Sequence, residues 1–281
     1  MRSILLFTLL AMSSMVFAGV TPYGILEQNV VISGSKVMLD SDDSAIGVRG
    51  SKFISKDMVV KFGVEYGLKE KELDTLTGSI HSKELGILKA GSFKSFMRVE
   101  SDRTINIFSA NAVHRSSFYG WNRNAMAYIS PIMSGFRFGV AGMVNGDVNL
   151  EERNMMEYMG SFRMKHFYIS GVLRKSSGID HKMVMGSTYV NRIMLTGGWE
   201  DNNGSDAMLV GVILPSGHRN SLRLGAKKGG GANVLSSEFN LYLSKMTSAS
   251  LNLQHITSGD NIMDLIDMGD RIVTVGMRHN F

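Results

Sequence analysis

Seven histidines and twenty-five carboxylates are available to this chain, but their spacing does not build a reaction centre. The histidines are scattered, with no H-E-x-x-H and no second ligand at metal spacing. There is no G-x-S-x-G nucleophile turn and no phosphate-binding P-loop. Gly229-Gly230-Gly231 reads as a flexible loop. Asp201 to Asp206, DNNGSD, has the opening acids of a calcium loop but no distal glutamate, so it reads as a surface turn. With no cysteine, neither a disulfide framework nor a thiolate metal site is available. The expectation is no metal, no cofactor and no catalytic residue. What remains is charge at alternate positions, as in Lys61 and Glu65 or Glu157 and Arg163. Charges repeating on one side of a strand suit a wall that faces water and acts on ions.

The elements that would hold such charges are strands. From Met58 to Leu68, Val60, Phe62, Val64, Tyr66 and Leu68 fall on one face, and Val59, Lys61, Gly63, Glu65 and Gly67 on the other. Helical spacing fails here, because it would group Val60 and Val64 with Lys61 and Gly67. The end of the chain, DRIVTVGMRHNF, behaves alike: Val273, Val275, Met277, His279 and Phe281 share one face, opposite Ile272, Thr274, Gly276 and Arg278. A last strand with one apolar face is an aggregation hazard unless paired on both sides. Making it the closing strand of a barrel in lipid removes the hazard. The alternative at this point is an ordinary sandwich strand.

Met1 to Ala18 has Arg2, an apolar run from Ile4 to Met12, and the small-x-small site Val16-Phe17-Ala18. It reads as a bacterial export signal, too short for a spanning helix. Residues 19–281 then form a single domain, with net charge reduced from +5 to +4 by loss of Arg2. Mean hydropathy near zero resembles a soluble protein, yet alternating barrel strands evade that measure. Thirty-one glycines against three prolines fit twisted strands and tight turns. The twenty-one methionines read as adaptable apolar filler. The basic balance lacks a basic run or an aromatic platform, so nucleic acid is not expected as a partner.

In order, strands are expected at Val20 to Leu39, Ala45 to Lys52, Met58 to Leu68, Leu73 to His81 and Leu85 to Gly91. A long gap, about residues 92–121, follows, and gaps of that length inside a domain are usually functional. Strands resume at Arg123 to Ser130. Tight connections at Lys165, Asn191, Ser216-Gly217 and Thr247 then alternate with loops near Ser177, Asn203, Gly230 and Asp264. The sum is about sixteen strands with short turns at one end and loops at the other. That is the layout of a closed antiparallel transmembrane β-barrel, an all-β fold. No fixed-period repeat argues for a propeller or solenoid.

Six blocks resemble the general bacterial porins, the sixteen-stranded trimeric outer-membrane channels of Gram-negative bacteria. Val20-Thr21-Pro22-Tyr23-Gly24 resembles the family's opening strand, and Ser44 to Gly50, SAIGVRG, its S-R-L-G-F-K-G block. Leu85-Gly86 through Gly91 resembles the strand entering the third loop. Asn124 to Gly139, NAMAYISPIMSGFRFG, resembles N-S-V-R-Y-x-S-P-x-x-x-G-F-x-F-G. Leu243 to Thr247 resembles L-S-K-R-T, and Val275 to Phe281 the closing V-G-L-R-H-R-F. The resemblance implies a homotrimer in the outer membrane, with lipid bilayer and lipopolysaccharide around it and small hydrophilic solutes and ions inside. It also implies that the long third loop folds into the lumen as a constriction, bringing Arg98, Glu100, Asp102, Arg103, His114 and Arg115 to the pore. Departures fall at basic lumen positions of the family, which are Ala45, Ala127 and Ser92 here.

Barrel parity places Arg49, Lys61, Lys89, Arg137, Arg163, Arg192, Arg223 and Arg278 on the pore wall, with Glu65 and Glu157. An arginine or lysine at the bilayer midplane would cost about 2–4 kcal/mol, so these charges must stay wet. Val273, Val275, Met277 and Phe281 face lipid on the closing strand. The excess of inward cations predicts a mild anion preference. The expectation is a passive diffusion channel; the alternative is a plugged barrel serving as adhesin, phage receptor or structural protein.

Overall fold

The computed structural model describes residues 19–41, 44–69, 71–109, 120–143, 155–176, 179–217, 219–231, 233–258 and 271–281. The expected export signal lies outside the described residues. β1 (Val20–Ser33) is followed by β2 (Lys36–Asp40), β3 (Ala45–Phe53), β4 (Met58–Gly67), β5 (Glu72–Ser82) and β6 (Gly86–Lys94). A short helix, α1 (Phe96–Arg103), opens the long connection to β7 (Trp121–Ile129). β8 (Phe136–Met143), β9 (Met156–Arg163), β10 (Phe167–Ser176), β11 (Ile179–Val190) and β12 (Ile193–Asn202) follow. The chain ends with β13 (Ser205–Ser216), β14 (Asn220–Gly229), β15 (Asn233–Tyr242), β16 (Thr247–Ser258) and β17 (Arg271–Asn280).

All seventeen strands form one antiparallel sheet that closes on itself, because β1 pairs β17 from Ile25↔Asn280 to Ser33↔Ile272. Gly24 and Phe281 complete the seam with two backbone hydrogen bonds of 3.0 Å. β2 and β3 are two parts of one span: β2 pairs Asn29 to Ser33 of β1, and β3 pairs Val20 to Ile25. The barrel therefore has sixteen spans. The expected first strand to Leu39 is corrected: the chain turns at Gly34-Ser35, where Ser33 pairs Lys36 and Gly34 takes φ +57°. Glycine adopts that left-handed conformation without a Cβ penalty.

Alternation puts apolar side chains outside along every span. On β4, Phe62, Val64 and Tyr66 are exposed; on β8, Phe136 and Phe138 are. Phe136, Phe167 and Phe281 stand near the turn end, and Tyr66 and Tyr158 near the loop end. Leaving one such side chain in water forgoes about 1.5–3 kcal/mol. Several per span would exceed a stability of about 5–15 kcal/mol, so this exterior needs hydrocarbon as its solvent. Among the described residues no helix is long and apolar enough to cross a membrane.

Candidate pore lining and constriction

The connection after β6 crosses the barrel interior. Ser95 caps α1, its hydroxyl accepting from the Arg98 N–H at 3.1 Å. The carboxylate of Glu157, on β9, accepts from the Phe96 and Met97 N–H groups, both at 2.9 Å, and from Asn122 Nδ2 at 2.8 Å. A helix start leaves backbone donors unsatisfied, and a carboxylate there also meets the positive end of the helix dipole.

Beyond α1 the chain runs on against β11 to β15. Ser109 donates its N–H to both oxygens of Glu238, at 3.0 and 2.9 Å. Arg223 Nη1 donates to the Ile107 carbonyl and the Ser109 hydroxyl at 2.7 Å each, and to Glu238 Oε1 at 3.0 Å. Asn240 Nδ2 donates to the Ser109 hydroxyl at 2.6 Å. The wall beneath is notched: a Cβ at Gly139, Gly198 or Gly211 would press on Phe96, Ile105 or Ile107. Between segment and wall lies a dry cluster that includes Phe93, Phe96, Met97, Ile105, Met159, Val172, Met183, Met185 and Leu209. The third loop thus folds into the lumen, held at both described ends by buried carboxylates.

The sequence-predicted residues separate into distinct environments. On the segment, Arg98 is buried with its guanidinium 4.6 Å from the Trp121 ring centroid. Glu100 is buried, accepting a short hydrogen bond from the Tyr168 hydroxyl and pairing Arg103 Nη1 at 2.9 Å. Burial disfavours the Arg103 cation, but Glu100 and Tyr168 hold its pKa above the ordinary value. Asp102 is exposed and accepts from Asn106 Nδ2 at 3.0 Å. His114 and Arg115 lie outside the described residues.

On the wall, Arg49 and Lys61 are exposed on the inward face of β3 and β4. Arg49 sits 5.1 Å from the ring centroid of Tyr23, whose hydroxyl donates to Glu65 Oε2 at 2.8 Å. Lys89 lies 4.5 Å from the Phe93 ring centroid. Arg137 Nε donates to the Ser130 carbonyl at 3.3 Å, and Arg163 stands 5.2 Å from the Tyr168 ring centroid. Arg278 pairs Glu27 at 3.4 Å near the closing seam. Arg223 belongs to the segment's clamp. Arg192 is corrected: it sits exposed in the two-residue turn between β11 and β12, because strand parity does not run through a turn. On β17, Val275, Met277 and Phe281 are exposed and Val273 half-buried. Ala127 lies in the dry cluster, and Ala45 is also buried.

Sequence reasoning missed Glu238, Ser109 and Asn122 as clamp residues, together with the buried Glu200–Lys227 pair at 3.5 Å. The available signal was an acid at inward parity among apolar or small neighbours, as for Glu157 beside Met159 and Glu238 beside Ser236. DNNGSD forms a hairpin tip in which Gly204 donates its N–H to Asp201 Oδ1 at 2.7 Å. Among the described residues no group of three His, Cys, Asp or Glu side chains could hold a metal ion.

No family model matches the chain, and no curated protein matches it in sequence. Solved structures do match in shape. The Salmonella typhi OmpF complex with daunomycin aligns over 93% of this chain and 97% of its own, with TM-score 0.76 and 11% identity. A mutant of the Rh. blastica porin aligns over 93% and 100%, with TM-score 0.70 and 12% identity. The trimer form of in-vitro folded OmpT, an outer membrane protein of Vibrio cholerae, aligns over 93% and 99%, with TM-score 0.67 and 12% identity. The chain is a closed sixteen-span antiparallel β-barrel with the fold of the outer-membrane porin barrels.

Proposed function

We propose that this protein is an outer-membrane porin of a Gram-negative bacterium, a passive diffusion channel for small hydrophilic solutes and ions. It is a homotrimer in contact with lipopolysaccharide, it has a mild anion preference, and it performs no catalysis. The observation that carries the reading is the exposure of Arg49, Lys61 and Arg163 on the inward face of a barrel whose outer face is apolar. Charges in that position need a water column beside them. The crossing segment, packed against β8 to β15, leaves β1 and β3 to β6 to line that column. The trimer form described for OmpT supports the assembly.

Reconstitution in a planar bilayer tests the reading. The expected result is stepwise conductance, three closing levels per insertion, and a reversal potential in a salt gradient on the anion side. A folded barrel that inserts without conductance would overturn it in favour of a plugged barrel.

A further inference from the structure

Five inward cations lie towards the turn end of the barrel. Arg49 lies four residues from the turn end of its span, Lys61 and Lys89 three, Arg137 one, and Arg163 ends its span. Of the inward carboxylates, Glu27, Glu65, Glu157 and Glu200 stand six or seven residues from that end, and Glu238, paired with Arg223, four. At about 3.3 Å per residue and a tilt near 40°, Lys61 and Lys89 stand about 10 Å along the axis from the level of Glu65.

Four of the basic side chains form one patch. Lys61 on β4 and Lys89 on β6 flank Ser79 of β5 in a single row of the sheet, Lys61↔Ser79↔Lys89. Two strand spacings put their backbones about 10 Å apart. His81 is on the same face of β5, its Nε2 3.0 Å from the Ser79 hydroxyl, and it lies in the field of Lys61, Lys89 and Arg137 together. Among the described residues none of Lys61, Lys89 and Arg137 has a carboxylate at ion-pair distance.

We propose that Lys61, His81, Lys89 and Arg137 form a capture site for multivalent anions of the polyphosphate type, entered from the turn end. Mutually repelling cations without counter-charges are neutralised by one extended anion that spans the row. From the turn end a multivalent anion reaches the patch about three residues into the wall; from the loop end it must first pass the level of Glu65. The site rests on the reading of the barrel as an open channel.

The experiment is sided block of single channels in 0.1 M KCl with tripolyphosphate as the probe. The chain has no cysteine of its own, so Asn203→Cys at the β12–β13 tip reports orientation through an impermeant thiol reagent. Block from the turn side is expected at concentrations at least about ten-fold lower than from the loop side. The difference should collapse in 1 M KCl, where the screening length falls from about 10 Å to about 3 Å. K61Q/K89Q/R137Q should lose the turn-side advantage, whereas Lys175→Gln, on the lipid face, should keep it. Equal block from both sides of the unmutated channel overturns the site and leaves the channel standing; that arm needs no variant to fold. An unchanged advantage in the triple variant also overturns it. Absence of any conductance overturns the channel reading and this site with it.

Discussion

The two halves of the inner wall treat charge in opposite ways. Where the crossing segment covers β8 to β15, Glu100, Glu157, Glu200 and Glu238 are all buried, and each accepts hydrogen bonds or pairs with a cation. On β3 to β6, Arg49 and Lys61 are exposed with no carboxylate at ion-pair distance among the described residues, and Glu65 is engaged by Tyr23. Desolvation is the cause. A charge taken out of water costs several kcal/mol unless paired, whereas a charge in a water column needs no partner. The buried charges therefore hold the segment against the wall, and Arg49 and Lys61 stay exposed on the inward face.

The largest test of that division is Glu238→Ala. It leaves the Arg223 guanidinium without its buried anion and the Ser109 N–H without an acceptor. Removing one partner of a buried pair costs about 3–5 kcal/mol, to be read as a lower unfolding midpoint in urea with lipid vesicles. The same variant should show a noisier open level, since the far end of the segment is freed. Normal stability with quiet conductance would mean that the dry cluster alone holds the segment.

Gly211→Val probes the same half by volume. A Cβ there would overlap the Ile107 side chain, and overpacking costs about 1–3 kcal/mol. The wall cannot yield outward without breaking pairings on both neighbours, so the segment must shift towards the water column. Single-channel conductance should fall while the reversal potential stays put. Unaltered conductance would show that the segment does not set the width.

The barrel was legible in the sequence because period-2 alternation is local: Val60 to Leu68 and Val273 to Phe281 each display it within ten residues. The turn and loop alternation was legible for the same reason. The clamp was not, because its bonds join residues 61 and 129 positions apart, from Phe96 to Glu157 and from Ser109 to Glu238. Alternation tells which side an acid faces but not what it meets there. Arg192 shows the converse limit, a correct count of positions carried across a turn where the strand geometry stops. The expected strand runs on to Leu39 because Ser33-Gly34-Ser35-Lys36 interrupts the apolar run for only four residues, with no proline to mark the break.

The smallest structural effect belongs to the wetted half. Arg49→Ala removes an exposed cation whose described ring contact is with Tyr23, at 5.1 Å. Cation–π contacts at exposed sites contribute about 0.5–1 kcal/mol, so unfolding should move little. Selectivity is where the change belongs. Arg49 lies on the inward face at the middle of β3, and a fixed positive charge there raises the local anion concentration within a screening length. Its loss should shift the reversal potential in a salt gradient towards zero, more at 0.1 M than at 1 M salt. If stability drops by several kcal/mol while selectivity stands still, Arg49 is architectural, and the selective charges lie on the segment, with exposed Asp102 and Arg103 as the groups to change next.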